Sequence, residues 1–460
     1  MPENAPLDAT GPSPIPVEPA SRFGALSVPA FRNLWLGRTI SFMGDYAFRV
    51  AFLTYLITKT HSAVALSVST AALLIPTLAF YLFGGVLSDR VTSRKTVMIA
   101  ADLGRFLVTG AIAVLLSITS SALLLVLLAL LIGVGDGFFQ PASFAFQKQI
   151  TPDRYLASAN SAVSVSQQTG LIAGPLLGGA LVGLVGSTAA FGFDAATFLI
   201  SAFFLSLVRL PAAVREETAT REETATREET AVRGPAGVLA DVRAGFRFVK
   251  TESWLRTSLV AGPLANAVFA GVLAVSVPLI MAPRGSAQAG TLGGFYGVQA
   301  LGAFTTALFI KRLNFARIGT AMFTALALMA VALLGVGLLG RSSTVYAMAF
   351  LYGVGLHFFN TLFPTLLHEK VPDAVMGRVS SLVTLLFTGM MPIGQLIVGP
   401  LSAVSTARTA TVALAAGAAA VCVGAAWLAP SIRALRRTDE QSGDLVEERL
   451  GSVAEADSPA

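Results

Sequence analysis

The sequence predicts an all-α integral membrane protein, with twelve transmembrane helices arranged as two pseudo-symmetric six-helix bundles. Of the 460 residues, 54% are hydrophobic and only 13% are charged, whereas soluble domains carry about 25% charged residues. The apolar residues fall into twelve segments, each near the ~20 residues that a bilayer-crossing helix needs. The two halves of the chain also share a sequence pattern. A chain this apolar has lipid as its solvent.

The twelve predicted spans follow one another with short connections, except at the centre of the chain. They cover residues 34–58, 63–88, 97–118, 120–146, 158–184, 189–209, 254–281, 290–310, 318–340, 343–367, 377–402 and 407–429. The loops on one side hold most of the short-loop cations, among them Arg90, Arg94 and Lys95. Because cytoplasmic loops carry an excess of Lys and Arg, this asymmetry predicts that both termini lie in the cytoplasm.

Polar segments flank and separate the two apolar halves. The N-terminal segment is rich in proline and lacks a signal-peptide pattern, and residues 215–232 repeat a charged hexad three times, which is typical of a solvated linker. In residues 241–250, apolar and basic side chains take opposite helical faces, which indicates a short helix on the membrane surface. The predicted organisation is a disordered tail (1–30), an N-terminal bundle (31–210), a charged cytoplasmic linker (211–240), a C-terminal bundle with its preceding amphipathic segment (241–430) and a C-terminal tail (431–460).

An internal repeat relates the two halves. The stretch FFQPASFAFQKQITPDRY (138–155) aligns with FFNTLFPTLLHEKVPDAV (358–375). At the same offset, Gly174 falls on Gly394 and Gly179 on Gly399. A parallel repeat of two six-helix halves is the architecture of one large transporter class, whose substrate site lies between the halves.

Several function classes are disfavoured by composition and motifs. The single cysteine, Cys422, excludes an intramolecular disulfide and Cys-based metal clusters, and the three histidines are widely separated, so we expect no metal and no cofactor. The sequence contains no Gly-Lys-Ser/Thr phosphate loop, HExxH or GxSxG motif. We therefore expect neither ATP use nor enzyme activity. The cations lie between apolar blocks rather than on one basic face, which argues against nucleic-acid binding.

The loop after span 2, GGVLSDRVTSRK (84–95), crowds an acid and three cations into one turn. It resembles the signature loop of the major facilitator superfamily, carried by Gly85, Asp89, Arg90, Arg94 and Lys95. The resemblance implies that the aspartate lies against the start of span 11 and braces the outward-open state. The loop departs from the commonest pattern, because a glycine after the first arginine is absent and one extra residue precedes the basic pair. The alternative is that these are ordinary positive-inside residues.

Span 5 contains GLIAGPLLGG, with a stripe of small residues and one proline. Glycines spaced by four make a smooth face for another backbone, and the proline bends the helix. We expect a kinked helix packed against span 8 at a moving interface. The stretch resembles the antiporter signature of the same superfamily, carried by Gly170, Gly174, Pro175, Gly178 and Gly179. Stripes of this kind also occur in membrane helices that merely pack.

Three further stretches, 31–51, 100–105 and 191–198, resemble the macrolide- and siderophore-exporting branch of proton-coupled drug antiporters. This resemblance implies a monomeric antiporter of the cytoplasmic membrane that exports a hydrophobic, drug-like, antibiotic or siderophore-type molecule in exchange for protons. The alternatives are a proton-coupled importer or symporter on the same fold and a non-transporting membrane scaffold.

Ionisable residues within the spans are functional candidates, because each is costly in lipid unless it is paired or hydrated. Asp45 and Arg49 are one turn apart in span 1, and they form either a structural ion pair or a proton-binding acid with its modulating cation. Asp136 in span 4 has no cation beside it in the sequence and is the second candidate for proton binding. We expect Asp102 and Arg105 of span 3 to hold the neighbouring basic loop.

Other polar and aromatic residues complete the candidate sites. Asp194 lies close to the outer end of span 6, where we expect it to be hydrated or to cap the helix. A cavity for bulky lipophilic substrates combines aromatic side chains with sparse polar groups. The candidates for lining it are Phe138, Phe139, Gln140, Asn266, Tyr296, Gln299, His357, Phe358, Phe359 and Asn360. His357 is either a polar contact or a titrating group.

Overall fold

Twelve long helices account for nearly all of the residues that the structure describes. The structure is a computed structural model that describes residues 24–88, 93–119, 121–209, 246–281, 287–310, 315, 317–340 and 342–436. The helices are α1 (Pro29–Thr60), α2 (Ala63–Ser88), α3 (Arg94–Ile118), α4 (Ala122–Ile150), α5 (Leu156–Leu184), α6 (Ser187–Ser206), α7 (Ser253–Met281), α8 (Ala287–Phe309), α9 (Ile318–Leu339), α10 (Val345–Lys370), α11 (Asp373–Val404) and α12 (Ala407–Leu428). No strand occurs in these ranges, which confirms the all-α prediction.

Eleven of the described helices are long and apolar enough to cross a membrane. The exception is α5, whose first half carries a run of serine, asparagine and glutamine residues that lowers its hydropathy. The prediction of twelve spans is therefore confirmed for eleven, and α5 stays a predicted span.

Helix ends follow from local sequence signals. The side chains of Ser93, Ser121 and Thr406 accept hydrogen bonds from main-chain N–H groups in the first turns of α3, α4 and α12, which satisfies donors that a helix start leaves free. At the end of α1, His61 takes a left-handed conformation with φ of 47°. These signals allow antiparallel neighbours to be joined by connections of a few residues.

The two halves use the same helix pairings. In the first half, α1 packs against α5 and α6, α3 against α4 and α6, and α2 against α4. In the second half, α7 packs against α11 and α12, α9 against α10 and α12, and α8 against α10. Each pairing recurs six helices further along the chain, which is the packing that a duplicated bundle produces.

Two helix pairs join the halves, α5 with α8 and α2 with α11. The tight contacts lie at one end of the bundle. A Cβ atom at Gly293 of α8 would lie 2.5 Å from the Pro175 carbonyl oxygen, and one at Gly399 of α11 would meet Ser67 of α2. The C-terminal ends of α5 and α11 lie at this end of the bundle, which is the end predicted to face the outside of the cell.

Segments assigned to the tails and to the amphipathic stretch before the second bundle are partly docked on the bundles. Residues 24–27 form a 3-10 turn in which the Ala25 N–H donates to the Ser158 hydroxyl at 3.1 Å. Residues 246–251 are helical, with Val249 buried against the second half. Beyond α12, Ile432 is fully buried. The hexad linker, residues 215–232, lies outside the described residues.

Candidate functional site

The centre of the candidate site is the guanidinium of Arg105, which is only 2% exposed. Its Nη1 donates to Oδ1 of Asp136 at 2.7 Å, and its Nη2 donates to Oδ1 of Asp102. The guanidinium carbon lies 4.4 Å from the ring centre of Phe139 and 4.3 Å from that of Phe198. Arg105 is therefore held by two carboxylates and two aromatic rings, contributed by three different helices.

The antiparallel packing of α3 and α4 creates this arrangement. Arg105 lies 13 residues before the end of α3, and Asp136 lies 14 residues after the start of α4, so both reach the same depth. Gly135 leaves room for the arginine, because a Cβ there would lie 2.6 Å from Arg105 Cγ. Asp136 has no cation beside it in the sequence, but it is not a lone acid in the fold, since its partner Arg105 comes from the neighbouring helix.

The expected role of Asp102 and Arg105 in holding the basic loop is also wrong. The pair joins α3 to α4 instead. In the basic cluster, Lys95 Nζ donates to the carbonyl oxygens of Ser206 and Val208 at 2.8 and 2.7 Å, at the end of α6. A cation at a helix C-terminus is favourable because it complements the helix dipole and the free carbonyl groups.

Much of the rest of the signature loop lies outside the residues that the structure describes. Arg94 is the first residue of α3, and Gly85 belongs to the last turns of α2. Asp89 and Arg90 lie outside the described residues. The packing of α2 against α11 is present, but the contact implied for the aspartate stays a prediction.

On α1, Asp45 is partly buried and lies within electrostatic reach of Asp136, Arg105 and Arg49. The expected ion pair between Asp45 and Arg49 does not form in this conformation, since no contact within 4.0 Å joins these two described side chains. The Arg49 guanidinium is exposed and lies 5.4 Å from the ring centre of Tyr46. The ring provides the cation with a weaker, non-ionic partner.

Asp194 of α6 belongs to the same region, and the expectation of a hydrated or capping residue is wrong. Its side chain is only 2% exposed, and it lies where α1 crosses α6. A Cβ at Gly44 would lie 2.6 Å from Asp194 Oδ1, so the glycine allows the two helices to meet there. Sequence analysis placed this acid too near water because span position alone does not reveal a neighbouring helix.

The glycine stripe of α5 is divided between two neighbours. Cβ atoms at Gly170 and Gly178 would lie 2.8 Å from Phe42 Cβ and 2.6 Å from the Ala47 carbonyl oxygen, and one at Gly174 would meet Tyr46. These three glycines therefore face α1, in the same half, and not α8 as expected.

Contact with α8 is made by the residues between those glycines. A Cβ at Gly293 would lie 2.5 Å from the Pro175 carbonyl oxygen and 3.0 Å from Gly179 Cα, and one at Gly297 would lie 2.8 Å from Leu176. The repeat behaves in the same way, because Gly394 faces α7 whereas Gly399 faces α2. The prediction that span 5 packs on span 8 is thus correct for the two helices. It is wrong for most glycines of the stripe, which face α1 instead.

Three of the residues predicted to line the cavity are buried instead. Phe139 packs on Arg105, and Phe359 stacks on Phe363 with ring centres 5.4 Å apart. Gln299 is 9% exposed. These side chains hold the bundles together, because a helical position near the cavity still has faces that point to neighbouring helices.

Two other predicted cavity residues bind main-chain carbonyls within the second half. Asn266 Nδ2 donates to the Phe387 carbonyl oxygen at 2.8 Å, which links α7 to α11. The Tyr296 hydroxyl donates to the Leu273 carbonyl oxygen at 2.7 Å, within a π turn over residues 272–276 that the sequence analysis missed. A π turn frees carbonyl groups from the helical pattern, and the tyrosine supplies the missing donor.

The remaining predicted cavity residues keep some exposure. Phe138 lies 4.6 Å from Phe80 between ring centres, and Phe358 lies 5.7 Å from Phe315, so each also packs on a second ring. Gln140 and His357 are partly exposed, and Asn360 is exposed. These last three are the polar candidates for contact with a substrate.

Two equivalent six-helix bundles that meet through two helix pairs, with a charge cluster inside one of them, define a multi-pass membrane transporter. The chain belongs to the Major Facilitator Superfamily, whose family model matches residues 34–395. It is similar to the enterobactin exporter EntS of Shigella flexneri, with 27% identity over 90% of this chain and 95% of the relative. It is also similar to macrolide efflux protein A of Streptococcus pyogenes, with 23% identity over 80% of this chain and 88% of the relative.

Solved structures agree on the fold. The nucleoside transporter NupG superposes with a TM-score of 0.64 at 13% identity, covering 86% of this chain and 98% of that chain. A bacterial homologue of the iron transporter ferroportin, in its inward-facing state, gives a TM-score of 0.61 at 14% identity, covering 86% of this chain and 98% of that chain. The family and the transporter relatives point to a transporter rather than an enzyme.

Proposed function

We propose that the protein is a proton-coupled antiporter that exports a hydrophobic, drug-like, antibiotic or siderophore-type small molecule by alternating access. The observation that carries the proton coupling is the buried cluster around Arg105. One guanidinium there pairs with two carboxylates, while a third acid, Asp45, lies within electrostatic reach. Acids gathered in a lipid-embedded bundle are costly, and they mark proton pathways in transporters.

The cluster offers a physical route to coupling. Asp102 is fully buried, whereas the Asp136 side chain is 33% exposed, so water in the central space reaches Asp136 more readily. Protonation of Asp136 would break its ion pair with Arg105 and leave the guanidinium to Asp102. We assign the coupling proton to Asp45 and Asp136, with Arg49 and Arg105 as the cations that compete with it.

The contacts between halves support alternating access. The tight glycine contacts of α5 with α8 and of α2 with α11 lie at the predicted outer end. In that orientation the conformation is closed to the outside, and both termini lie in the cytoplasm. Rocking of the two halves about these helix pairs would open the outer side. We expect a monomer in the cytoplasmic membrane.

The substrate class rests on the relatives, whose names record macrolide, multidrug and enterobactin transport. Gln140, His357 and Asn360 supply sparse polar groups on α4 and α10, and aromatic residues such as Phe138 lie beside them. A few polar groups among apolar and aromatic side chains suit an amphipathic molecule.

Transport in inverted membrane vesicles tests the proposal. Substrate should accumulate in the vesicles when their interior is acidified, and collapse of the proton gradient should stop it. Asp45→Asn and Asp136→Asn should each abolish or reduce substrate-stimulated proton release, whereas Asp153→Asn, at an exposed loop position, should not. Proton-independent transport by the wild type would refute the coupling, and full coupled transport by both site variants would refute the assignment of residues.

A further inference from the structure

Asp194 is a buried acid for which the proposed mechanism has no use. Its side chain is 2% exposed, and its Oδ1 has no hydrogen-bond partner among the described residues. Three helices pack against α6, namely α1, α3 and α5. An ionised carboxylate is costly at a buried position of a membrane helix where one of its oxygens has no donor.

The charges around Asp194 do not neutralise it. The charged groups within electrostatic reach of it are Asp45 of α1, Arg105 of α3 and Asp136 of α4. The nearest guanidinium, that of Arg105, already binds Asp102 and Asp136. No cation lies within 4.0 Å of Asp194 among the described residues, and α5 contains no ionisable side chain.

The hydroxyl beside Asp194 suits the protonated acid better than the carboxylate. Thr197 Oγ1 and Asp194 Oδ1 both lie within 2.6 Å of the position that a Cβ at Gly44 would take. The Thr197 hydroxyl donates its single proton to the main-chain carbonyl oxygen of Asp194 at 2.7 Å. The same hydroxyl also approaches the Asp194 carboxyl group. While its proton stays on the main-chain carbonyl, it meets that carboxyl group with its lone pairs, which can accept an O–H from a carboxylic acid.

We infer that Asp194 is a further proton-binding residue of the transporter, which holds a proton in this conformation and releases it when the packing of α1 on α6 loosens. The step is a deprotonation of the Asp194 carboxylic acid: its O–H bond breaks, the electron pair stays on the carboxylate, and the proton passes to water or to the carboxylate of the neighbouring Asp45. The inference rests on the proton coupling proposed above, to which it adds a site outside the Arg105 ion pairs.

Infrared difference spectroscopy of the reconstituted protein tests for the proton directly. The wild type should show a carboxylic-acid carbonyl band that shifts in D2O, and Asp194→Asn should lack it. Asp153→Asn, an exposed control, should keep it. A band of equal intensity in Asp194→Asn would overturn the inference. If that variant does not fold, Thr197→Ala removes the acceptor and should shift the band, and an unshifted band would refute the inference equally.

Proton release on substrate binding tests the role in coupling. In Asp194→Asn the number of protons released per protein should fall by about one, in line with the linkage between binding and protonation. An unchanged proton yield would refute that role. Failure of the proposed function has a different signature, because the wild type itself would then release no protons, whereas the infrared band would still report on Asp194.

Discussion

Replacing Gly178 by alanine tests whether α5 and α1 are in main-chain contact. The new Cβ would lie 2.6 Å from the Ala47 carbonyl oxygen and 2.8 Å from Ala47 Cα. Ordinary contacts begin near 3.4 Å, so α5 must move about 0.8 Å away from α1. Because the opposing atoms belong to a backbone, no side chain can rotate to make room. Overpacking of this kind costs about 1–3 kcal/mol.

The matched control is Gly183→Ala in the same helix, where a Cβ would meet nothing within 4 Å. Both variants share the gain of about 1 kcal/mol that alanine brings to a helix, so their difference isolates the steric cost. Thermal unfolding in one detergent should place Gly178→Ala below Gly183→Ala, by about 1 °C for each kcal/mol in a chain of 460 residues. Equal midpoints, or the reverse order, would refute the contact.

Two further perturbations address the contact between the halves and the charge cluster. Gly293→Ala adds a Cβ only 2.5 Å from the Pro175 carbonyl oxygen, so it should shift the transporter towards the state that is open at the end where α5 meets α8. Labelling of a cysteine placed at the buried Ser67 should then rise several-fold. It should not rise in Gly290→Ala, where a Cβ meets nothing within 4 Å. Arg105→Gln leaves the buried Asp102 and the partly exposed Asp136 without their cation and should lower the free energy of unfolding by about 3–5 kcal/mol in a denaturation experiment. Arg49→Gln, at an exposed cation, should lower it far less, and equal losses would contradict the special position of Arg105.

Helix positions could be predicted from the sequence because they depend on hydropathy and local end signals. The spans predicted at 318–340 and 407–429 compare with observed helices at Ile318–Leu339 and Ala407–Leu428. The offset that pairs Gly174 with Gly394 also predicted equivalent roles, and both face the first helix of their own half. Such features belong to a single helix or to an internal repeat, and both can be identified from the sequence.

Contacts between helices were harder to predict. A stripe of glycines identifies a face that another backbone can approach, but two helices, α1 and α8, flank α5. Gly178 and Gly179 point to different ones because successive residues are rotated by about 100° around a helix. The proline after Gly174 predicts a kink in α5, but it does not indicate which face of α5 packs against α1 and which against α8.

The charge cluster shows what could have been predicted and what could not. Arg105 and Asp136 reach equal depth in consecutive antiparallel helices, so counting residues from the short connection between them would have suggested their ion pair. The burial of Asp194 has no comparable signal. It depends on the crossing of α1 and α6, which are separated by four intervening helices along the chain.

The internal repeat applies to the helix packing but not to the charge cluster. Glycine contacts occur in both halves, with Gly179 facing α8 and Gly399 facing α2, so the joints between the halves come in two equivalent copies. The deep acids occur in the first half, and Leu356 stands at the repeat position of Asp136. Because both joints link the first half to the second, a charge change in one bundle biases the movement of both. Under the proposed coupling, one copy of the proton-binding residues would therefore be sufficient for a transporter built from two copies of the fold.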